Sequence, residues 1–286
     1  MATTPTVRRL LLGHELRRLR EAADKAPADA AKLLDCAATK ISRMELGQSP
    51  IGVGDLKMLL EFYDVDPDRT ASMLELGRNT KARGRWSGHR AFFPEWFRTY
   101  FDLEQDASDI KRTEAEVVPG LLQTDDYVRA MYDVHNYEQA EIEDRLKARQ
   151  ERRAILTRPN PPMASFILSE SCLRRVVGNA SVMRGQLHHL IDIGRSRNVH
   201  IQVLPFDAQT SMAGYLFYGF IMLTIESPGN APALEFVYVE DLDDARYLDG
   251  DNEKKPYVNL WGRLQAAALG PVESRKLIRK VAEQST

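Results

Sequence analysis

The stretch "PADAAKLLDCAATKISRMELG", residues 27–47, constrains this chain more than any other. Its apolar residues fall into two short packets at helical spacing, with turn residues between them. Two helices that cross steeply need a small residue where they touch, and Ala31 is placed for that in the first. The turn needs a residue that tolerates positive φ, a role open to Asp35. The second helix needs a buried aliphatic side chain, supplied by Ile41, and Gly47 stands where a C-cap would end it.

The surrounding sequence supports one helical domain over residues 1–80. From Gly13 to about Leu76 the apolar packets continue at helical spacing, and almost no β-branched run could serve as a strand. Five short helices are expected. Leu16, Leu19, Ala22 and Ala23 give the first a buried stripe, with Arg17, Arg18 and Arg20 interleaved. Pro27 suits the first turn of the second, and "AATKISRME" forms the third. "GDLKMLLEFYD" and "DPDRTASMLELG" supply the last two, with Asp66 as N-cap and Pro67 at the first helical position.

Residues 81–95, which take in most of "RNTKARGRWSGHR", read as a basic linker. From 96 to 286 the pattern changes. Helical stretches dominate to about Leu156, "TRPNPPM" then breaks the chain, and the strand-like segments "ASFILS", "NVHIQVLPF", "GYLFYGFIMLTI" and "ALEFVYVE" come after it. A helix capped by Asn179 or Ser181 lies among them, and two helices close the chain. The strands succeed one another without a helix in every gap, so an α+β domain with a mainly antiparallel sheet is expected.

Composition excludes several classes. The net charge of −2 leaves any nucleic-acid contact to a local patch. No apolar run approaches the roughly 20 residues that span a bilayer, and "MATTPTVRRLLLGHELRRLR" breaks into arginines before a signal-peptide core forms, so a cytoplasmic protein is expected, with no membrane partner. Cys36 and Cys172 lie far apart, with neither disulfide nor zinc spacing. No catalytic or cofactor-binding signature appears, and no metal or cofactor is expected. His188 and His189 are adjacent and diverge by about 100 degrees on a helix, so they do not share a metal. Two arginines come after Cys172, but a buried small residue is the simpler reading of it. The acidic run "VEDLDDARYLDGDNE" reads as a solvated loop or as a face for a basic partner.

The 27–47 segment resembles the helix-turn-helix of Xre-type, lambda-repressor-like regulators, and "KISRMELG" matches the usual ending of their recognition helix. It departs from them at Asp35, where glycine is usual, and at Ala26 and Pro27, where a Thr-Gln pair is common. The resemblance implies that Ala38, Thr39 and Arg43 face base edges, with Lys40 and Ser42 near the backbone and Arg17 on the same DNA-facing surface. Of these, Arg43 alone can make a bidentate pair with guanine, worth about 1–3 kcal/mol. It also implies a structural salt bridge between Arg20 and Glu45, assigned to folding and not to DNA. Beyond this domain, "WFRTYFDLEQDAS", "VVPGLLQT", "ARQERRAILTR", "CLRRVVGNASVMRGQLHHL", "YLDGDNE" and "LQAAALGPVESRKLIRKVA" are similar to the C-terminal module of WhiJ-like actinobacterial regulators.

Together these resemblances imply a sequence-specific DNA-binding transcriptional regulator and not an enzyme. The expected form is a repressor, a homodimer on a two-fold operator in double-stranded DNA, nucleoid-associated when bound. Its C-terminal domain would dimerise and would be modulated by a small partner protein encoded nearby. Two alternatives stay open: a partner-binding module of a toxin–antitoxin-like pair with weak or non-specific DNA binding, or a small-ligand sensor. A catalytic large domain using Cys172 or His188 is the least supported, because no nucleophile, base and orienting group can be assembled from the sequence.

Overall fold

The structure is a computed structural model that describes residues 5–78, 95–133, 138–208, 219–226 and 233–284. The chain divides into two compact units, Met1–Asp106 with Ile225–Leu234, and Ala107–Thr224 with Glu235–Thr286. The basic stretch expected as a linker falls almost wholly within 79–94, outside the described residues.

The first unit carries α1 (Pro5–Ala22), α2 (Pro27–Leu33), α3 (Ala38–Glu45), α4 (Val53–Phe62), α5 (Pro67–Gly77) and α6 (Glu95–Asp106). Helix α1 starts earlier than its apolar stripe suggested, because Val7, Leu11 and Leu12 are also buried. Leu12, Leu16, Leu19, Ala31, Ile41, Met44, Leu56, Leu59, Leu60 and Met73 meet in one core. Burial of each large aliphatic side chain contributes roughly 1.5–3 kcal/mol, so these short helices are stable through packing with one another and not through intrinsic propensity.

The turns share one recurring chemistry. Asp24, Asp35 and Asp64 adopt φ of 52°, 48° and 54°, and Gly47 adopts 66°. After α2, Cys36 N donates to Ala31 O at 2.9 Å and Asp35 N to Lys32 O at 3.4 Å. After α3, Gln48 N donates to Arg43 O at 2.9 Å and Gly47 N to Met44 O at 3.0 Å. Both are Schellman closures, which satisfy the last carbonyls of each helix and turn the chain sharply toward the next. Asp66 caps α5 by accepting from Arg69 N at 2.9 Å, and Pro67 and Pro27 sit at the first helical positions expected of them.

Gly13, in the middle of α1, marks the close crossing of α1 over the end of α3. A Cβ there would overlap the Met44 carbonyl oxygen and lie 2.6 Å from that of Glu45. Only glycine lets the two backbones approach so closely.

The second unit is α+β. Its strands are β1 (Asp109–Glu114), β2 (Met163–Ser169), β3 (Val199–Leu204), β4 (Phe220–Ile225), β5 (Leu234–Glu240) and β6 (Ala245–Leu248), in the order β3-β2-β1-β4-β5-β6. Its helices are α7 (Asp125–Asp133), α8 (Gln139–Arg153), α9 (Glu170–Arg174), α10 (Ala180–Ile193), α11 (Asp251–Ala267) and α12 (Pro271–Gln284). The α+β class holds, and within it the sheet is mixed. The pairs β1–β2 and β2–β3 are parallel, while β1–β4 and β5–β6 are antiparallel. Parallel neighbours need long crossovers, and α7 with α8, then α9 with α10, supply them.

Of the two parallel pairs missing from the expected sheet, β2–β3 is missed because the helix expected between those strands is not read as a crossover, and β1–β2 because β1 does not read as a strand. Its sequence, "DIKRTE", is rich in charge although it lies inside the sheet. Ile110 and Thr113 are buried, and the charge is contained by an ion pair between Arg112 and Glu114, two residues apart on one face. Asn179 is the cap of α10, accepting from Val182 N at 3.1 Å. On one face of the sheet Trp261, Leu260 and Leu264 of α11 pack on Ile167, Leu204, Phe220 and Val237. The acidic run at 240–253, read as a solvated loop or a face for a basic partner, is loop only in part, since Ala245–Leu248 pairs with β5 and Asp251 opens α11.

For stability, two outcomes are expected. Gly13→Ala, by forcing α1 off two backbone carbonyls, should cost about 1–3 kcal/mol in chemical denaturation. Asp35→Gly should leave the melting temperature unchanged or raise it, because glycine carries no Cβ penalty at positive φ; a marked fall would show that the Asp35 carboxylate itself stabilises the turn.

Candidate nucleic-acid interface

Helix α3 is positioned by α1 and α2. Its buried side, Ile41, Met44 and Glu45, faces the core. Ala38, Thr39, Lys40, Ser42 and Arg43 are all exposed. The residues assigned to DNA on this helix therefore share its outer side, and those assigned to folding lie on its inner side.

The inner side is held by a buried ion pair. Arg20 Nε donates to Glu45 Oε1 at 2.6 Å and Arg20 Nη2 to Glu45 Oε2 at 3.0 Å, a two-point fork. The two side chains are only 8% and 7% exposed, so each charge depends on the other for solvation. Arg20 Nη1 also donates to the Lys25 carbonyl at 2.8 Å, which ties the α1–α2 turn to the same group. The bond to Glu45 holds the Arg20 guanidinium above its ordinary pKa. Nearby, burial and then the Glu45 charge push the Tyr63 phenol up to about 12. A second buried carboxylate, Glu15, accepts from Arg18 at 3.0 Å and from Arg69 Nε at 2.8 Å and so joins α1 to α5.

The outer side divides by partner. Lys40 Nζ lies 3.5 Å from Asp55 Oδ2 of α4, and Ser42 Oγ donates to Ala38 O at 3.3 Å. Arg17, also exposed, pairs with Glu21 one turn on at 3.0 Å. Among the described residues neither the Thr39 hydroxyl nor the Arg43 guanidinium has a hydrogen-bond or ion-pair partner. These two stand four residues apart, on one face of the helix.

Three features of the surface are absent from the sequence reading. Asp29 accepts from Ala26 N at 2.8 Å and closes the start of α2, where the missing Thr-Gln pair would stand. It places a negative charge there. Asp55 holds Lys40, and only the packing of α4 beside α3 reveals it. Gln48, exposed directly after Gly47, offers an unassigned amide. The order of residues around Gly47 was the available signal for Gln48.

In the second unit, Cys172 is fully buried and its Sγ lies 3.3 Å from the Glu114 carbonyl. Burial, with Glu114 and Glu116 adding to it, pushes the thiol well above its usual range. A reactive thiolate needs the reverse. Burial lowers the His189 imidazole, with the Arg153 charge acting the same way.

A short helix pair with a positive-φ turn, a buried fork at the end of its second helix and an exposed polar face define a helix-turn-helix DNA-binding protein. Residues 11–73 match the family described as a helix-turn-helix domain. Residues 97–280, well over half of the chain, match the domain of unknown function DUF5753, and the chain belongs to that family. No curated protein and no solved structure matches it. Among the described residues no helix is long and apolar enough to cross a membrane.

The Arg20–Glu45 pair gives a direct test. Arg20→Met or Glu45→Leu alone should lower stability by about 3–5 kcal/mol, since either leaves a buried charge unpaired. The double variant should recover much of that loss in urea titrations. Losses that simply add would show that the pair is not coupled.

Proposed function

We propose that this protein is a sequence-specific transcriptional repressor of the WhiJ-like kind, reading a two-fold operator as a homodimer through α3. The observation that carries the reading is the Thr39–Arg43 face: two polar groups without partners among the described residues, one turn apart, on a helix fixed to the core by a buried fork. An unpartnered guanidinium on a rigid helix is suited to guanine, whose O6 and N7 accept both of its donors. Thr39 adds a hydroxyl and a methyl. Ala38 offers a methyl contact alone, so specificity leans on Arg43.

Lys40 and Arg17 have a different role in this reading. Each is held by an exposed carboxylate, and exposed pairs of this sort are weak enough to open toward a phosphate. Ser42 can accept but has its proton engaged. Asp29 and Asp55 lower the general attraction to DNA, which favours recognition of a sequence over indiscriminate binding. The second unit serves dimerisation and regulation by a small partner protein, and the protein acts in the cytoplasm without enzymatic activity. The inert burial of Cys172 supports that last point.

Selection of binding sites from random duplexes by the full chain should yield two related half-sites. On the selected site Arg43→Ala should lose about 1–3 kcal/mol of discrimination at one base pair per half-site. Lys40→Ala should weaken all sequences alike and reduce the salt slope by about one. Equal losses on specific and random DNA for Arg43→Ala would make it a phosphate contact and sink the assignment. A single half-site bound as tightly as the pair would exclude the dimer.

A further inference from the structure

The arginine-rich segment "ARQERRAILTR" is not explained by DNA binding. Its first six residues form the end of α8, in the second unit. Arg145, Arg149 and Arg152 stand at i, i+4 and i+7 and so share one face of that helix. The neighbouring face is neutralised conventionally: Gln150 donates to Asp125 at 2.7 Å, and Arg153 pairs with the same carboxylate.

Arg149 differs. Among the described residues it has no carboxylate partner, and its guanidinium donates to the Tyr132 hydroxyl of α7. Its Nε is sealed from solvent and makes no hydrogen bond. Arg152, itself fully buried, approaches from the same side. A Cβ built on Gly120 would overlap Arg149 Nη1 and lie 3.3 Å from Arg152 Nη1, so both cationic nitrogens crowd one point. Arg145 stacks on the Tyr132 ring at 5.2 Å and also donates to its hydroxyl. One neutral oxygen thus receives two guanidinium groups.

Arg149, out of water beside the Arg152 charge, lacks the solvation that an anion would restore, whereas the Arg152 charge already acts on the Glu240 carboxylate. Burial alone lowers the Arg149 guanidinium, and the Arg152 charge lowers it further. Burial would raise the Tyr132 phenol, yet Arg149 and Arg145 bring it below its ordinary value. Tyr132, Arg145 and Arg149 are each half-buried as residues, so part of the cluster reaches solvent.

We infer that Arg149, Arg145 and Tyr132, over the floor formed by Gly120 and Arg152, bind the phosphate group of a small molecule. The arginine fork matches a tetrahedral oxyanion, and a dianion answers several positive charges better than a single carboxylate does.

The test is thermal unfolding of the full-length chain at constant ionic strength with inorganic phosphate, acetate or chloride. Phosphate should raise the melting temperature by about 3 °C or more once well above its Kd, and acetate should not. Arg149→Met should remove that shift while melting no lower than the parent in chloride, because it deletes a charge that is repelled. A purely structural arginine would instead destabilise the chain and leave the shift intact. Arg149→Lys, which keeps charge and loses the fork, and Tyr132→Phe should each reduce the shift, and they decide the matter if Arg149→Met does not fold. Lys40→Ala should keep it; loss there would assign the phosphate to the DNA-binding helix and overturn the site. No phosphate shift in the parent, or an equal shift with acetate, overturns it as well.

Discussion

The Arg20–Glu45 fork is the interaction on which the first unit depends. It joins the last turn of α1 to the last turn of α3, beneath the face that meets solvent, and a third donor of Arg20 fastens the α1–α2 turn. A fork fixes two atoms at each end and therefore fixes orientation as well as distance, which apolar packing among Ile41, Met44 and Leu16 does not do alone. Gly13 permits the approach that makes the fork possible. The two features form one device, since the carbonyls that crowd Gly13 belong to Met44 and Glu45. A helix placed by contacts on its inner side leaves its outer side facing solvent.

The turns complete that placement. Asp24, Asp35 and Asp64 take the left-handed position usually given to glycine, and each is followed by the hydrogen bond that closes the preceding helix. Aspartate bears a steric cost there of about 1 kcal/mol but restricts the unfolded chain more than glycine would. The departure at Asp35 from the glycine common in such domains is therefore one use of a pattern found three times in this unit.

The second unit shows a different balance. Its sheet contains β1, whose Arg112 and Glu114 neutralise each other, while α8 carries arginines that are neutralised unevenly. Charged groups inside a fold are retained when they pair or when they bind something. The Arg112–Glu114 and Arg153–Asp125 pairs are of the first kind. Arg149, set against a phenol and another arginine, motivates the proposed phosphate site. Cys172, whose thiol burial pushes well above its usual range, packs in the core with its Sγ on the Glu114 carbonyl.

How far the fold and the site could be read from the chain depends on the range of the interactions involved. The helix-turn-helix is legible in the chain, because Ala31, Asp35, Ile41 and Gly47 act through sterics and backbone conformation within one short two-helix segment. The same holds for the Asp66 cap and for the α+β class of the second unit, and the α10 cap is narrowed to Asn179 or Ser181, of which the structure selects Asn179. The Arg20–Glu45 pair, 25 residues apart, was legible through family resemblance. Only packing settles the parallel half of the sheet, the hold of Asp55 on Lys40 and the surroundings of Arg149, whereas the closure of α2 by Asp29 is a local contact three residues long that the sequence reading missed. A charge acts through space on whatever the fold brings near it, and its sequence neighbours do not say what that will be.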